Sequence, residues 1–518
     1  ESEDSQEWIK AMEEEYTSLQ KNHTFTTVDL PPGKRPLSTK WVYKIKDEGS
    51  QKRFKARLVV RGCNQKADLD FHETYSPVAK HASLRFLFSL AVEKNLNIDH
   101  LDVKTAYLYG ELPEEIYAKP PTEYLKPHEK NKVWRLHKSM YGLRQAGRCW
   151  NAKIDTVLRE LNLKRSTADP CIYHYQGNDG IAIIALWVDD LILLTSNDSL
   201  KKAIKQKLKC EFEIKDLGEI NNCLGMEITR DRKNGKLWIS QSKYIQKTLQ
   251  RFHMENCNPV STPMEINAGK TLIPKKTEDQ KAEEPKTEEP FNKNVPYQEA
   301  VGSLLYISQI SRPDILFAVN TVSRFNNNYQ KPHWIAVKRI MRYLKGTLNL
   351  KLEFSKNTNV ENRLITFSDA DWGNELTNRF SISGSCSKIG NNLISWTSRK
   401  QKSVAMSSCE AEYMALALSV QETLWLRQLI SDFKLDLTNN PTCIYCDNLG
   451  TINLAKNDMV SQRSKHIDLR YHFIRDHIKK RDIIVNHIST HDMPADGLTK
   501  PLGKTKHSQQ VKLFGLKN

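Results

Sequence analysis

The sequence predicts a mixed α/β (α+β) protein of several domains, and three observations predict it. The chain has 518 residues, enough for roughly three to four domains. Strand-like apolar runs such as 181–194 alternate with segments of helical period such as 81–95 and 150–162. From about residue 360 the chain starts again with strands and then alternates helix and strand.

A net charge of +17 and a pI near 9.2 point to a polyanionic partner. The ten cysteines are scattered, as free thiols in a reducing compartment would be. Cys443 and Cys446 form a Cys-x-x-Cys. Strand positions three apart face opposite sides, and no second pair follows at zinc-finger spacing, so the pair reads as structural. Neither a signal peptide nor an apolar run of membrane-spanning length is present. The start, Glu1 to Asp4, lacks an initiator Met. That fits a fragment cut from a longer polyprotein, or a recombinant segment.

In chain order, residues 4–20 read as an amphipathic helix. Asp4 and Glu7 fit a capping box, and Trp8, Met12, Tyr16 and Leu19 share a face. Two strands follow, joined by a turn over 47–50. In the second, alternation puts Phe54, Ala56, Leu58 and Val60 on one face and Lys55, Arg57 and Arg61 on the other. A helix over 81–95 leads to a strand bearing Asp102, and a helix over 150–162 precedes the hairpin 181–194. A basic helix, 200–209, comes before a second hairpin made of 223–228 and 237–240. Residues 267–290 lack aromatics and carry the near repeat Lys281 to Pro290, so they read as a disordered insertion. Three helical patterns follow, 297–309, 313–325 and 332–344. The last sets Trp334, Val337, Met341 and Leu344 against Lys338, Arg339, Arg342 and Lys345.

The chemistry begins with Asp189 and Asp190, two adjacent acids inside an apolar strand-like run. Burying a carboxylate is costly unless it is paired or metal-bound, and neighbouring acids raise each other's pKa. A divalent cation reverses that logic. One reading is a hairpin tip that offers acids to Mg²⁺; the other is an exposed polar turn between core strands. Further on, Ile365, Phe367 and Asp369 share a strand face, as do Cys443, Tyr445 and Asp447. Ser407 and Glu410 fit a capping box, which leaves Glu412, one turn in, free for chemistry. Asp496 lies in Met493-Pro494-Ala495-Asp496-Gly497. His466, His472 and His477 lack metal-ligand spacing and read as a basic helix near substrate.

Three blocks carry a resemblance. They are Asp102-Val103-Lys104-Thr105-Ala106-Tyr107, then Ser139-Met140-Tyr141-Gly142-Leu143-Arg144-Gln145, then Trp187-Val188-Asp189-Asp190. With Lys55-Ala56-Arg57-Leu58-Val59 upstream, their order and spacing resemble the reverse transcriptases of copia-type long-terminal-repeat retrotransposons. The contexts of Asp369, Glu412 and Asp447, together with Lys465 to Asp468 and Tyr471 to Phe473, resemble the ribonuclease H domain of the same elements.

The resemblance implies a right-hand polymerase followed by a ribonuclease H-like domain. Its parts would be fingers and N-terminal helix with some palm in 1–100, palm in 101–240, and thumb (or thumb and connection) in 241–355. The ribonuclease H domain would occupy 360–505 and a C-terminal tail 506–518. Asp102, Asp189 and Asp190 would hold one pair of metal ions, and Asp369, Glu412, Asp447 and Asp496 another. The cofactor would be Mg²⁺, two ions per site, with Mn²⁺ as an alternative. Polymerisation and RNA cleavage would both use two-metal catalysis. Lys46, Lys55 and Arg57 are candidates for the triphosphate, Val103, Tyr141 and Gly142 for the nucleotide pocket, and Tyr107 for exclusion of a 2′-hydroxyl. Trp187, Leu224, Gly225, Met226 and Glu227 would place the primer, and Lys338 and Arg342 would track the duplex. His491 matches the family's mobile-loop His.

Expected partners are an RNA template, a DNA or tRNA-derived primer, RNA–DNA hybrid and dNTPs, with no membrane; a homodimer and virus-like-particle components are further candidates. The expected location is a cytoplasmic virus-like particle, or the nucleus. Two departures from the family stand out: Trp187 replaces a usual Tyr, and Gly147 replaces a usual Pro and is expected to loosen a turn. With no integrase or protease block in sight, the segment reads as the downstream part of such a polyprotein. Retention of all seven acids argues against an inactive nucleic-acid-binding remnant or a particle-assembly protein, and the second domain against a polymerase unrelated to retroelements.

Overall fold

The computed structural model describes residues 4–48, 51–125, 129, 131–272, 294–357, 363–373, 379–456 and 468–518. The fold is mixed α/β, as expected, and divides into two compact units. One comprises Glu1–Ala79 with Asn97–Glu219, the other Lys80–Leu96 with Ile220–Asn518.

In the first unit a six-stranded antiparallel sheet runs Ile214–Glu219, Asn97–Val103, Asp190–Thr195, Gly180–Trp187, Ile172–Gly177, Lys164–Arg165 in spatial order. Residues 182–186 and 191–195 are buried without alternation, as in strands covered on both faces. That is why the sequence here is a continuous apolar run. The helix Asp198–Glu211 returns across these strands, and Asn197 caps it by accepting from the Leu200 N–H at 2.9 Å. A three-stranded sheet and the hairpin Thr39–Glu48 with Gln51–Val60 complete the unit. Ala56, Leu58 and Val60 are buried on the predicted face. Asp47 and Glu48, expected in the turn, belong to the strand; Gly49 and Ser50 lie outside the described residues. The N-terminal helix Ser5–Lys21 packs on Gln51–Val60 and buries Leu19. Its expected capping box is not formed, since the Asp4 side chain makes no cap hydrogen bond.

The second unit contains the helix His81–Glu93, buried from Ala82 to Val92. Arg85 is buried there too, donating to the carbonyls of Ile394 (2.6 Å) and Gln309 (2.8 Å) over the Trp396 ring. The expected hairpin forms as Met226–Asp231 with Lys236–Ser240. It joins Asn222–Cys223, Lys351–Ser355 and Leu516–Lys517 in a five-stranded sheet. Both elements therefore belong to the second unit, whereas the expected fingers and palm ranges included them.

Helices Ser242–Arg251, Tyr297–Ile310, Leu316–Ser323 and Lys331–Gly346 share one apolar core. A disordered insertion is expected over 267–290, but its first residues are ordered. Ala268–Thr271 is a helical turn, and Ala268 and Leu272 are buried in that core; residues 273–293 lie outside the described residues.

A second five-stranded sheet runs Asn392–Lys400, Ile382–Ile389, Leu364–Asp371, Thr442–Cys446, Ile483–His487. Its first three strands are antiparallel and its last two run parallel to Leu364–Asp371. The long helix Ser408–Asp432 packs on it. Residues 506–518, expected to be a tail, are instead most of the helix Lys504–Leu513 and the whole strand Leu516–Lys517, which pairs with Lys351–Ser355.

Candidate functional site

Two groups of acids form, one in each unit. In the first, Asp190 stands directly opposite Asp102 across antiparallel strands. The turn between Gly180–Trp187 and Asp190–Thr195 carries Asp189 at its tip. The Val103 N–H donates to the Asp189 carbonyl at 2.8 Å, and Trp150 Nε1 donates to the Val188 carbonyl at 2.6 Å. These anchors hold Val188 at φ +58°, a conformation a β-branched residue rarely adopts.

Asp189 is exposed at the tip of the turn, yet protein atoms crowd one side of it. Lost hydration raises its carboxyl above the usual range, Asp190 and Asp102 push the same way, and Lys55 opposes them. Acids crowded beyond their matching charge are a donor set that suits a divalent cation. Asp190 is restrained by a residue that sequence reading missed: His100 Nε2 lies 2.6 Å from its Oδ1, which leaves Oδ2 for an ion.

Around these acids in the same unit, Tyr107 and Tyr141 meet edge to face at 5.1 Å between centroids. Burial raises both hydroxyls, Tyr141 to about 12, with Asp189 adding to each. Arg57 lies 5.0 Å from the Tyr141 ring centroid, and the Val60 N–H donates to the Tyr141 carbonyl at 2.8 Å. Gly142, at φ +92°, is required here, because a Cβ would overlap the Val60 carbonyl.

The three basic candidates separate. Lys55 is the one whose charge acts on Asp189. Arg57 NH1 donates to Glu15 Oε2 at 2.7 Å, and Glu15 is buried in the N-terminal helix with its carboxyl raised by lost hydration. The side chain of Lys46 lies outside the described residues. Trp187 is half-buried and pairs with Asp190. Gly147 is not in a turn. It is the second residue of the helix Ala146–Glu160, where a Cβ would meet Ser76 at 3.0 Å.

In the second unit, Leu224 (φ +51°) and Gly225 (φ +68°) form the turn before Met226, and Tyr306 donates its hydroxyl to the Leu224 carbonyl. Glu227 accepts from Ser242 Oγ (2.7 Å) and the Lys243 N–H (3.0 Å). Lys338, Arg339 and Arg342 border a groove of about 390 Å³ with Met254, Met264 and Leu272. Arg342 Nε donates to the Asn258 carbonyl at 2.7 Å.

The other acids gather on the mixed sheet. Phe367 stacks on Tyr445 across parallel strands, which brings Asp369 and Asp447 to the same end. Ser407 caps the long helix by accepting from the Glu410 N–H at 3.2 Å, while Glu410 Oε2 accepts from the Met406 N–H at 2.7 Å. Glu412 is buried instead, with one ligand atom each of Glu412, Cys446 and Asp447 within 4.8 Å of one another. Lost hydration raises the carboxyls of Asp369 and Glu412 well above the usual range; neighbouring acids add to both and Lys500 opposes. This crowded set also suits divalent cations.

Thr499 Oγ1 donates to Asp369 Oδ2 at 2.5 Å, and Thr490 Oγ1 to Asp447 Oδ2 at 2.8 Å. Asp496, fully buried, is paired to Lys500 and Lys506. His491 is exposed beside Thr490, its Nδ1 3.2 Å from Gln509 Nε2. His472 is exposed, His477 pairs with Asp482 at 2.7 Å, and Lys465 and His466 lie outside the described residues. All ten cysteines are free.

His100, Glu15, Thr499, Lys500 and Lys506 were not found from sequence. Only Lys500 left a signal there, its four-residue spacing from Asp496.

The model of the family "Reverse transcriptase (RNA-dependent DNA polymerase)" matches residues 22–266. The retrovirus-related Pol polyprotein from transposon TNT 1-94 of Nicotiana tabacum is 42% identical over 513 residues, covering 98% of this chain and 38% of that protein. A putative transposon Ty5-1 protein of Saccharomyces cerevisiae is 30% identical over 324 residues, 62% of this chain and 100% of that protein. A solved ribonuclease H1 isolated from compost covers 27% of this chain and 93% of that one, at 15% identity and a TM-score of 0.22. The chain thus spans 38% of the length of the tobacco polyprotein it matches.

Proposed function

We propose that this chain, which belongs to the reverse-transcriptase family of copia-type retrotransposons, copies RNA and DNA templates into DNA and cleaves the RNA strand of the resulting hybrid. The observation that carries the reading is Asp190 in register with Asp102, with Asp189 at the adjoining turn. Bound at each site, two Mg²⁺ ions would stabilise the attacking and leaving oxygens of an in-line displacement at phosphorus.

The chain's own residues position and exclude. Asp102 and Asp189 would hold the ions of the polymerase site, and Asp190, restrained by His100, would support them with its second oxygen. Lys55 meets the triphosphate, while Arg57, paired with Glu15, steadies Tyr141 and the nucleotide floor at Val103 and Gly142. Tyr107 lies under the incoming sugar and blocks a 2′-hydroxyl. Trp187 and the Leu224 to Glu227 turn place the primer, and Lys338 and Arg342 lie along the duplex backbone.

In the second site Asp369, Glu412, Asp447 and Asp496 would hold the ions, and His491, next to the Thr490 that binds Asp447, would help release product. The 2′-hydroxyl marks the RNA strand for cleavage. RNA template, a DNA or tRNA-derived primer, hybrid and dNTPs are the partners this chemistry needs, and a virus-like particle is where it would work. Among the described residues no helix is long and apolar enough to cross a membrane.

The test is primer extension on RNA and DNA templates with the fate of the RNA strand followed. Asp189→Asn abolishes extension and spares cleavage of a preformed hybrid. Loss of both activities in a folded variant rejects the assignment of separate sites.

A further inference from the structure

The two lysines on Asp496 have no part in the mechanism above. Asp496 has no exposed surface, and each of its oxygens lies against a lysine ammonium in an ion pair that lacks hydrogen-bond alignment. Lys500 Nζ lies 2.5 Å from Oδ1 and Lys506 Nζ 2.6 Å from Oδ2. A buried carboxylate needs such compensation, but one carboxylate does not need two cations. Lys500 accounts for part of the surplus, since its charge also acts on Asp369 and Glu412. The ammonium paired with Asp496 therefore also acts on Asp369 and Glu412, without an ion pair to either.

Lys500 lies four residues after Asp496, just past the end of the short 3-10 helix Pro494–Leu498. Lys506 comes from the helix Lys504–Leu513, which grips the Asp496 loop a second time where Gln510 Nε2 donates to the Met493 carbonyl at 2.8 Å. The lysine side chains are 32% and 39% exposed, so either can swing to water. An oxygen holding an ammonium cannot also take a metal ion at about 2.1 Å along the same lone pair, and the two cations would repel. Among the described residues neither Glu412 nor Asp447 forms an ion pair with a lysine, and Asp447 accepts from Thr490 Oγ1.

We propose that Lys500 and Lys506 are resident counter-ions of the fourth carboxylate, so that an ion shared by Asp369 and Asp496 binds only by displacing lysine, while an ion held by Glu412 and Asp447 does not. Lys500 and Lys506 are thus positioning residues that set unequal affinities for the two ions. The inference rests on the ribonuclease H reading of this site.

Direct Mn²⁺ binding to the full chain, followed by electron paramagnetic resonance, tests it. Asp102→Asn and Asp189→Asn silence the other acids. The expected result is one tight ion and a second weaker by about tenfold or more. Adding Lys500→Gln and Lys506→Gln tightens the second ion by about tenfold or more and moves the first by less than about twofold. Lys500→Arg, which keeps the charge, does not tighten it. The double variant also unfolds at a lower temperature in chelator and gains more from Mn²⁺ than its parent, because Asp496 is then a buried charge awaiting its cation.

Should the double variant fail to fold, Lys506→Gln alone keeps one counter-ion and must shift the second ion in the same direction. An unchanged or weakened second ion in the folded variants overturns the proposal. If instead Asp369→Asn leaves both ions bound, it is the reading of these acids as a metal centre that fails.

Discussion

Glu410 and Glu412 are two residues apart and point about 200° apart around their helix, at 3.6 residues per turn. Glu410 serves the backbone of Met406, and Glu412 is buried against Asp369 and Cys446. Gln at 410 can still accept from the Met406 N–H, so Glu410→Gln should keep RNA cleavage within about twofold. Gln at 412 keeps the shape but removes a negative ligand, and cleavage in Mg²⁺ should fall by about a hundredfold or more, while extension on a DNA template continues. An inactive Glu410→Gln would shift the registration of the helix and the ligand set with it.

The acids themselves were legible in sequence, because charge inside an apolar strand stands out against its surroundings. Their partners were not. Glu15 finds Arg57 at a sequence separation of 42 and Thr499 finds Asp369 at one of 130; nothing local distinguishes them from solvated surface residues. Their roles exist only once the chain has closed.

The helix Lys504–Leu513 shows the same limit at the level of an element. Its buried residues are His507 and Gln510, and a hydropathy reading counts both as exposed, so the segment passed for a tail. What buries them is hydrogen bonding. His507 Nε2 lies 3.0 Å from the Tyr343 hydroxyl, which donates to Asp314 at 2.7 Å, and Asp314 is paired with fully buried Arg312. Gln510→Leu keeps the bulk but leaves the Met493 carbonyl with only the long 3.4 Å hydrogen bond from the Asp496 N–H. It should cost about 1–3 kcal/mol in stability, measured by denaturant unfolding, and reduce RNA cleavage by loosening the Asp496 loop. Full cleavage at reduced stability would show that the helix braces the fold without positioning the acid. By contrast, strands 180–195 and the thumb-like helices were readable, since their apolar residues follow the period of the element and face a shared core.

For the whole molecule, the +17 charge predicts that hybrid binding is largely electrostatic. Affinity should fall on the order of a thousandfold between about 50 and 200 mM salt, linearly on a log–log plot. A shallow slope would place the excess charge away from the nucleic acid. Domain order along the chain was the least legible property. The helix His81–Glu93 is followed at once by the strand bearing Asp102, so sequence proximity assigned both to one body. Packing assigns the helix elsewhere, through Arg85 and its acceptors on Ile394 and Gln309.

That helix makes the second unit a discontinuous cassette. The chain leaves one unit for the other at 79/80, returns at 96/97 and leaves again at 219/220. A recombination event with a single crossover near 220 would graft a new C-terminal half onto an old 80–96 segment. The buried guanidinium of Arg85 would then depend on a foreign chain for the placement of its carbonyl acceptors and for the ring beneath it. Exchange between diverged elements is therefore constrained to carry 80–96 and 220–518 together, and a breeder of chimeric enzymes faces the same two-piece inheritance.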